Sequence, residues 1–285
     1  MLRVLFFLLS LNLIPLASPL YRVTDAFGVV FSFKSSPKRV VSLAPAVTEM
    51  LSLLGCRKEI IGVSTYDEFE AVKVGGIIDP NFELLLSLKP DLIFVMQPTP
   101  MRTIQMLKQK GLPVFAVGEP RSLKEVVYNL TLLGRIMGRK EKAQQLAESF
   151  LKELEKKVAK VNLRVYIGGL KPPYWTGGKG TYISDLIEKA GAVNCADGLR
   201  GWLTLSGEKL LELNPQVLVI PEGKYMGSKQ EILGYLKKSF PWKHVDAVKR
   251  NRFLFIDENL IFRPGSALFK ALKKLREYFA SERLH

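Results

Sequence analysis

Apolar and polar positions along this chain predict short buried strands that alternate with amphipathic helices. Mainly apolar runs such as Val40–Leu43 and Val114–Val117 are typical of strands buried on both faces. Apolar residues at spacings of three and four mark helices such as Leu123–Met137. Strands separated by helices of this size predict an α/β fold, with a mainly parallel sheet and helices packed on it.

One pattern occurs twice in the chain, in Glu83–Val95 and again in Glu208–Ile220. Each copy predicts a short helix that begins at a carboxylate, ends before a proline and leads directly into a buried strand. The elements predicted after each copy are also alike, because a helix, a strand and a second helix follow in both halves. An internal repeat fixes the architecture, so we predict two similar lobes.

The stretch Gly138–Lys160 between the two copies predicts a longer amphipathic helix. Its apolar positions form one helical stripe, and its other face is Lys, Glu and Gln. At about 1.5 Å per residue this helix would be roughly 30 Å long. A peripheral helix of one lobe is the alternative, but the midway position favours a connection between lobes. We predict lobes at residues 18–137 and 162–285, joined by residues 138–161.

The N-terminal residues 1–17 have the pattern of a secretory signal peptide. Arg3 precedes the almost wholly apolar run Val4–Ile14, and small residues follow, with the cleavage expected after Ala17. An uncleaved anchor is the alternative, although the run is short for a span of about 20 residues. No cysteine lies near the predicted cleavage point, so a lipid anchor is not expected. We expect an exported, periplasmic protein.

The net charge of the chain bears on which partners it could bind. Forty-two Lys and Arg against 27 Asp and Glu give the 285-residue chain a formal charge of +15, which can favour nucleic acid or anionic membranes. The basic residues are spread along the sequence without a nucleic-acid-binding motif, which favours a solvated basic surface.

Cys56 and Cys195 lie in different halves, and we expect lone buried thiols rather than a disulfide.

Signals for catalysis are weak. The two histidines, His244 and His285, are too few for a histidine-based metal centre, and no nucleophile elbow or zinc-protease helix is present. Gly177–Thr181 resembles a phosphate loop but lacks its spacing, and we predict a turn there. We therefore expect no enzyme activity, no catalytic residue, no metal and no cofactor.

Aromatic residues collect in predicted loops of both halves: Tyr66, Tyr174, Trp175 and Trp202. Ligands of parallel sheets bind beyond the carboxyl ends of the strands. Aromatic side chains there could stack on a large flat ligand, and the alternative is that each one anchors its loop on a local core.

Glu83 and Glu208 also have two interpretations. Each lies in the predicted first turn of its helix, where the helix dipole stabilises a carboxylate by roughly 0.3–1 kcal/mol. Two matched, exposed carboxylates on two lobes could instead bind a two-fold symmetric basic partner.

Several segments together resemble one known family. Tyr21–Gly28 followed by Pro37–Glu49 is similar to the start of the cobalamin/iron-siderophore class of periplasmic substrate-binding proteins. Leu88–Ile93 is similar to the first-lobe signature of that class, and Leu203–Ile220 to its second-lobe counterpart. The resemblance covers nearly all of the chain that would remain after cleavage.

The resemblance implies the class III fold of periplasmic binding proteins, in which two Rossmann-like α/β lobes are joined by a single long helix. It implies little closure on binding, and delivery of the ligand to a dimeric ABC permease with its ATPase. A glutamate on each lobe docks on permease arginines in this family, and these positions match Glu83 and Glu208. We thus expect a monomer that reaches the membrane only through the permease and binds no nucleic acid.

Within the family, the chain is most similar to vitamin B12-binding proteins. Gly62–Tyr66, Pro172–Tyr174 and Trp202 match segments whose aromatics surround the corrin. Ile77 and Met96 stand where that subgroup often has tryptophans. The resemblance implies a corrinoid ligand, vitamin B12 or cobinamide; a ferric siderophore or haem is the alternative for the same transport role, and an exported enzyme with an unrecognised site is a second.

Overall fold

The computed structural model of this chain describes residues 21–223 and 228–282. The predicted signal peptide, residues 1–17, lies outside the described residues.

The first half of the chain forms a hairpin and one sheet. The predicted hairpin is confirmed: β1 (Tyr21–Thr24) pairs antiparallel with β2 (Val30–Phe33). Five parallel strands follow, in the order β5-β4-β3-β6-β7, so the strand order reverses between β3 and β6. These strands are β3 (Val40–Ser42), β4 (Ile60–Val63), β5 (Val72–Lys73), β6 (Leu92–Met96) and β7 (Val114–Val117).

The second half repeats this arrangement with fewer strands. Four parallel strands lie in the order β10-β8-β12-β13, and a separate antiparallel ribbon pairs β9 with β11. Their bounds are β8 (Arg164–Ile167), β9 (Tyr174–Gly177), β10 (Val193–Asn194), β11 (Trp202–Leu205), β12 (Val217–Glu222) and β13 (Phe253–Asp257). The sequence did not predict β5, β9, β10 or β11, and β9 and β11 lie where it predicted loops.

Helices connect the strands in both halves, mostly within two residues of their predicted bounds. The first half contains α1 (Pro45–Leu53), α2 (Phe82–Leu88), α3 (Met101–Gln109), α4 (Leu123–Ile136) and α5 (Lys140–Glu155). The second half contains α6 (Tyr182–Lys189), α7 (Gly207–Leu213), α8 (Lys229–Lys238), α9 (Asp246–Lys249), α10 (Glu258–Ile261) and α11 (Leu268–Glu282).

Helix α5 connects the halves, and it is shorter than predicted. It ends at Glu155 rather than Lys160, which makes its 16 residues about 24 Å long. It forms a hairpin with α4, packed so closely that a Cβ on Gly134 would overlap the Cβ of Ala143. Both helices contribute to the cores of both halves, and Phe150 of α5 stacks on Phe269 of the second half at 4.2 Å. The exact boundaries at residues 137 and 161 stay predictions.

Two carboxylates, one from each half, accept hydrogen bonds from the other half. Glu49 of α1 accepts a hydrogen bond from Ser266 Oγ at 2.5 Å and another from the Ala267 amide, just before α11 begins. Asp185 of α6 accepts from the Leu123 amide, the first of α4, at 2.7 Å. Burial raises the pKa of both carboxyl groups. Each carboxylate therefore caps a helix that the other half supplies.

The repeated pattern has the same structure in both copies. Helices α2 and α7 have seven residues each and lead into β6 and β12. Each helix ends on a left-handed residue immediately before the proline, Lys89 at φ 46° and Asn214 at φ 40°. The left-handed residue turns the chain from the helix into the following strand.

Two simpler predictions can also be compared with the structure. Cys56 and Cys195 are buried and free, as predicted. None of the helices in residues 21–223 and 228–282 has the length and apolar character needed to cross a bilayer.

Candidate ligand cleft

A cavity of about 300 Å³ lies between the two halves, at the carboxyl ends of the first-half strands. The segments that follow β3, β4, β6 and β7 form one wall, and the second half closes it through α6 and the loop after α10. This is the edge of a parallel sheet at which ligands bind, beside the reversal of strand order. The lining residues include Leu43, Ala44, Ser64, Tyr66, Ile77, Met96, Gln97, Glu119, Tyr182, Phe262 and Arg263.

The first-half residues predicted to bind ligand are brought together here. Tyr66, Ile77 and Met96 all line this cavity. Tyr66 is 61% exposed, so its ring is free to contact a ligand, whereas Met96 is almost fully buried. Ile77 is half-buried. These three residues form an apolar and aromatic wall.

The second-half tryptophans lie on the ribbon of β9 and β11. Trp175 pairs across from Thr204, and Trp202 from Gly177, which places both indoles on one face. The two rings are 6.2 Å apart, and Trp175 lies 4.8 Å from Phe262. Tyr182 packs edge-on against Trp202 at 5.4 Å. The cluster continues the cleft wall into the second half.

Tyr174 does not belong to this wall, which corrects the sequence prediction. The prediction placed Tyr174 and Trp175 in a loop, but both lie in β9, where successive side chains point to opposite faces. Tyr174 is 6% exposed, packs against Trp242 at 5.7 Å and donates a hydrogen bond to the Phe240 carbonyl. It anchors the second-half core.

A larger cavity of about 720 Å³ adjoins the cleft cluster in the second half. Phe262 lines both cavities, and Trp175 lines the larger one. Its other lining residues come from the loop after β8 and from α8: Gly169, Leu170, Lys171, Pro172, Pro173, Glu231, Ile232 and Tyr235.

Trp202 takes part in one of the hydrogen bonds that join the halves at the cleft. Trp202 Nε1 donates to Glu119 Oε1 at 3.0 Å. Burial raises the pKa of Glu119, although the Trp202 bond and nearby Arg121 counteract this. A ligand that enters between Trp202 and the first half must displace this bond.

The charges around the cleft nearly cancel. Arg263 lines the cavity, donates to the Tyr66 carbonyl at 3.3 Å and lies 3.8 Å from Glu68. Glu119 supplies a carboxylate on the same cavity. In the part of the chain that the structure describes, no three His, Cys, Asp or Glu side chains are grouped to hold a metal ion. The chemistry of this site is therefore apolar and aromatic contact with a few hydrogen bonds.

The two predicted docking carboxylates lie outside both cavities. Glu83 and Glu208 are exposed in the first turns of α2 and α7. Asn81 and Ser206 cap these helices by accepting from the amides of Leu84 and Lys209. Hydrogen bonds from the Glu208 amide and from Ser206 lower the pKa of Glu208.

Beyond Tyr66, Ile77 and Met96, the sequence did not predict the lining residues, among them Glu119, Tyr182, Phe262 and Arg263. Glu119 comes two residues after β7, and the same rule that selected Tyr66 could have found it. Phe262 and Arg263 follow α10, a short helix that the sequence did not predict.

Comparisons with known proteins show what this chain is similar to. An ABC transporter substrate-binding lipoprotein of Bacillus subtilis, itself uncharacterized, is 29% identical over 270 residues, which are 90% of this chain and 84% of that protein. A vitamin B12-binding protein of Pectobacterium atrosepticum is 29% identical over 65% of this chain and 71% of its own.

A solved structure from Staphylococcus epidermidis, described as a possible iron-binding periplasmic solute-binding protein, matches with a TM-score of 0.72. It is 29% identical and covers 86% of this chain and 99% of its own. The two-lobed α/β fold of class III binding proteins is thus confirmed. The sequence profile of the periplasmic binding protein family matches residues 40–260, and the chain belongs to this family.

Proposed function

We propose that this protein captures a corrinoid, vitamin B12 or cobinamide, in the cleft between its two lobes and delivers it to an ABC importer. The observation that carries the proposal is the cleft wall itself: Tyr66, Trp175, Trp202 and Phe262 offer aromatic surface to a large, flat ligand. The vitamin B12-binding relative supports the same ligand class. Export by a cleaved signal peptide is part of the proposal.

The charge balance of the cleft supports a corrinoid over the alternatives. A ferric siderophore or haem usually carries carboxylate or other anionic groups, which require cationic partners when they are buried. Arg263 is the cation of the inter-lobe cavity, and Glu119 opposes it there. The overall charge of +15 therefore does not extend into the cleft. The iron-binding description of the Staphylococcus epidermidis structure keeps the iron alternative in the test. Membership of a binding-protein family argues against an exported enzyme.

Ligand titration tests the proposal directly. Tryptophan fluorescence of the purified protein is followed while cyanocobalamin, cobinamide, hemin or an anionic ferric catecholate siderophore is added. We expect saturable quenching by a corrinoid at micromolar concentration or below. Saturable binding of hemin or the siderophore, with no response to either corrinoid, would show that the site serves iron transport instead.

Tyr66 and Tyr174 provide a matched pair of variants for this assay. Tyr66→Ala removes a ring from the cleft and is expected to weaken corrinoid binding by about tenfold. Tyr174→Phe removes only a hydroxyl from the buried core, so the dissociation constant should stay at the wild-type value. Equal losses for both variants would contradict the assignment of the cleft wall.

We also propose that Glu83 and Glu208 dock on a dimeric permease through its arginines. Their matched positions in α2 and α7 support this, since a two-fold partner needs equivalent contacts on both lobes. Glu83→Arg with Glu208→Arg should abolish uptake of radiolabelled cyanocobalamin in cells that carry the protein's own transporter, while affinity for the ligand stays unchanged. Glu141→Arg with Glu277→Arg, which changes two other exposed carboxylates, is the control. Uptake that survives the first pair would leave both glutamates as first-turn carboxylates that only stabilise their helices.

A further inference from the structure

An arginine holds the last carbonyls of α2, the helix that carries Glu83. Arg39 donates from Nη2 to the Leu88 carbonyl at 2.6 Å and from Nε to the Lys89 carbonyl at 3.4 Å. Lys89 is the left-handed residue that ends the helix. The guanidinium thus satisfies carbonyls that have no partner within the helix and places positive charge at the negative end of its dipole.

The second lobe repeats this contact around α7, the helix that carries Glu208. Arg164 donates from Nη2 to the Asn214 carbonyl at 3.0 Å, and its Nε lies 3.3 Å from the carbonyls of Leu213 and Asn214. Asn214 is again the left-handed residue at the helix end. Arg164 is half-buried, whereas Arg39 is exposed.

The backbone around each arginine is fixed in the same way. The Arg39 carbonyl accepts from the Asp91 amide and the Arg164 carbonyl accepts from the Gln216 amide, both at 2.7 Å. The side chains of Asp91 and Gln216 accept in return from the amides of Arg39 and Arg164, at 2.9 and 3.1 Å. Such a set of equivalent contacts in both lobes indicates a shared requirement rather than two unrelated surface contacts.

Each arginine also stands at the start of a strand that leads to a cavity. Arg39 precedes β3, and the residues after β3, from Leu43 to Ala46, line the inter-lobe cavity. Arg164 is the first residue of β8, and the loop after β8, from Gly169 to Pro173, lines the larger cavity. One short strand in each lobe therefore connects the docking helix to the ligand wall.

We propose that Arg39 and Arg164 are positioning residues for delivery: they fix α2 and α7 on β3 and β8, so that Glu83 and Glu208 are held in a set orientation for a two-fold partner. The inference rests on the proposed docking role of these glutamates. A helix of seven residues is not stable by itself. Asn81 and Ser206 hold the start of each helix, and the arginine holds its other end. Without the arginine the last turn frays, and the axis of the helix that carries the carboxylate is no longer fixed at both ends.

The test separates capture of ligand from delivery. Arg39→Met, Arg164→Met and the double variant are assayed for cyanocobalamin affinity and for uptake in cells that carry the protein's own transporter. We expect each single variant to keep its ligand affinity and to lose about tenfold in uptake, the change that corresponds to one charge-assisted hydrogen bond. The loss should be greater for Arg164→Met than for Arg39→Met, because the half-buried bonds are screened less by water. Arg39→Lys and Arg164→Lys should restore part of the uptake, since an ammonium can still donate to one carbonyl.

Arg276→Met is the matched control for loss of stability alone. Arg276 donates to the carbonyls of Lys189 and Glu153 near the ends of α6 and α5, which are not docking helices. Its variant should lower the unfolding temperature without a selective loss of uptake.

The inference is overturned if Arg39→Met and Arg164→Met keep wild-type uptake, or if uptake follows the unfolding temperature equally in all three arginine variants. Failure of the docking proposal gives a different result, because uptake would then also survive the two glutamate-to-arginine changes.

Discussion

The two copies of the repeated segment keep one geometry with different chemistry. Both helices end on a left-handed residue, but it is Lys89 in one copy and Asn214 in the other. The residue after the proline is a carboxylate, Asp91, in the first copy and an amide, Gln216, in the second. Both accept from the backbone amide of the clamping arginine. The position of the side-chain oxygen matters more than its charge, so the two lobes share a pattern of hydrogen bonds rather than a set of residue types.

The largest expected effect compares the buried leucines of the two copies. Leu85 and Leu210 occupy equivalent helix positions, and both are completely buried. Truncation of either to alanine should lower the free energy of unfolding by about 2–5 kcal/mol, from lost burial and the cavity left behind. Urea unfolding followed by circular dichroism measures this. A loss below about 1 kcal/mol in one lobe only would show that its helix is not part of the core.

A smaller effect, of opposite sign in the two lobes, is expected at the left-handed residues. Lys89→Gly should stabilise the protein by about 0.5–1 kcal/mol, because glycine adopts positive φ without strain. Asn214→Gly should instead destabilise by about 1 kcal/mol, since Asn214 Oδ1 accepts from the Asp246 amide at 2.9 Å and that bond is lost.

Both changes are measured by urea unfolding, with Asn251→Gly as a third left-handed position outside the repeat. Stabilisation by both Lys89→Gly and Asn214→Gly would mean that the Asp246 contact contributes nothing.

The smallest expected effect is on the pH dependence of stability, and it can be compared between Glu49 and Asp185. Burial raises the pKa of both carboxyl groups, so the folded state binds these protons more tightly than the unfolded chain. This contribution to stability is complete below the ordinary values, 4.5 for Glu49 and 3.8 for Asp185, and is lost as pH rises through the folded-state pKa.

Glu49→Gln and Asp185→Asn keep an acceptor but cannot ionise. Each should therefore gain stability relative to the wild type as pH rises from these values, and the window should begin higher for Glu49. Thermal unfolding across pH 4 to 7 measures the trend. Parallel curves for variant and wild type would contradict the raised pKa values.

The sequence was sufficient for the repeat, the buried strands and most helices, because long periodic patterns have few alternative structures. It was insufficient where contacts between distant residues define an element or its partner. The ribbon of β9 and β11 is held by pairing between distant residues, and without it the opposite directions of Tyr174 and Trp175 could not be predicted. In the same way, the pairing of α4 with α5 depends on the close contact between Gly134 and Ala143, which no periodicity reveals.

Of the site, the sequence selected Tyr66, Ile77 and Met96 in the first half and Trp175 and Trp202 in the second, but not Phe262. Phe262 reaches the cavity only because the lobes face each other, and that orientation is a property of the interface between them. The periodicity of a sequence predicts elements within one lobe and does not predict the contacts between lobes.

The exchanged helix caps of Glu49 and Asp185 make the two lobes resemble subunits of a two-fold dimer. In an isologous interface the same patch is used on both sides, so every contact occurs twice. Here the first helix of each half caps a helix of the other, Ser266 and Ala267 on one side and Leu123 on the other. Cutting the chain between the halves would leave two fragments, each with a carboxylate that lacks its helix and a helix that lacks its carboxylate. Such fragments, expressed together, carry complementary ends for reassembly.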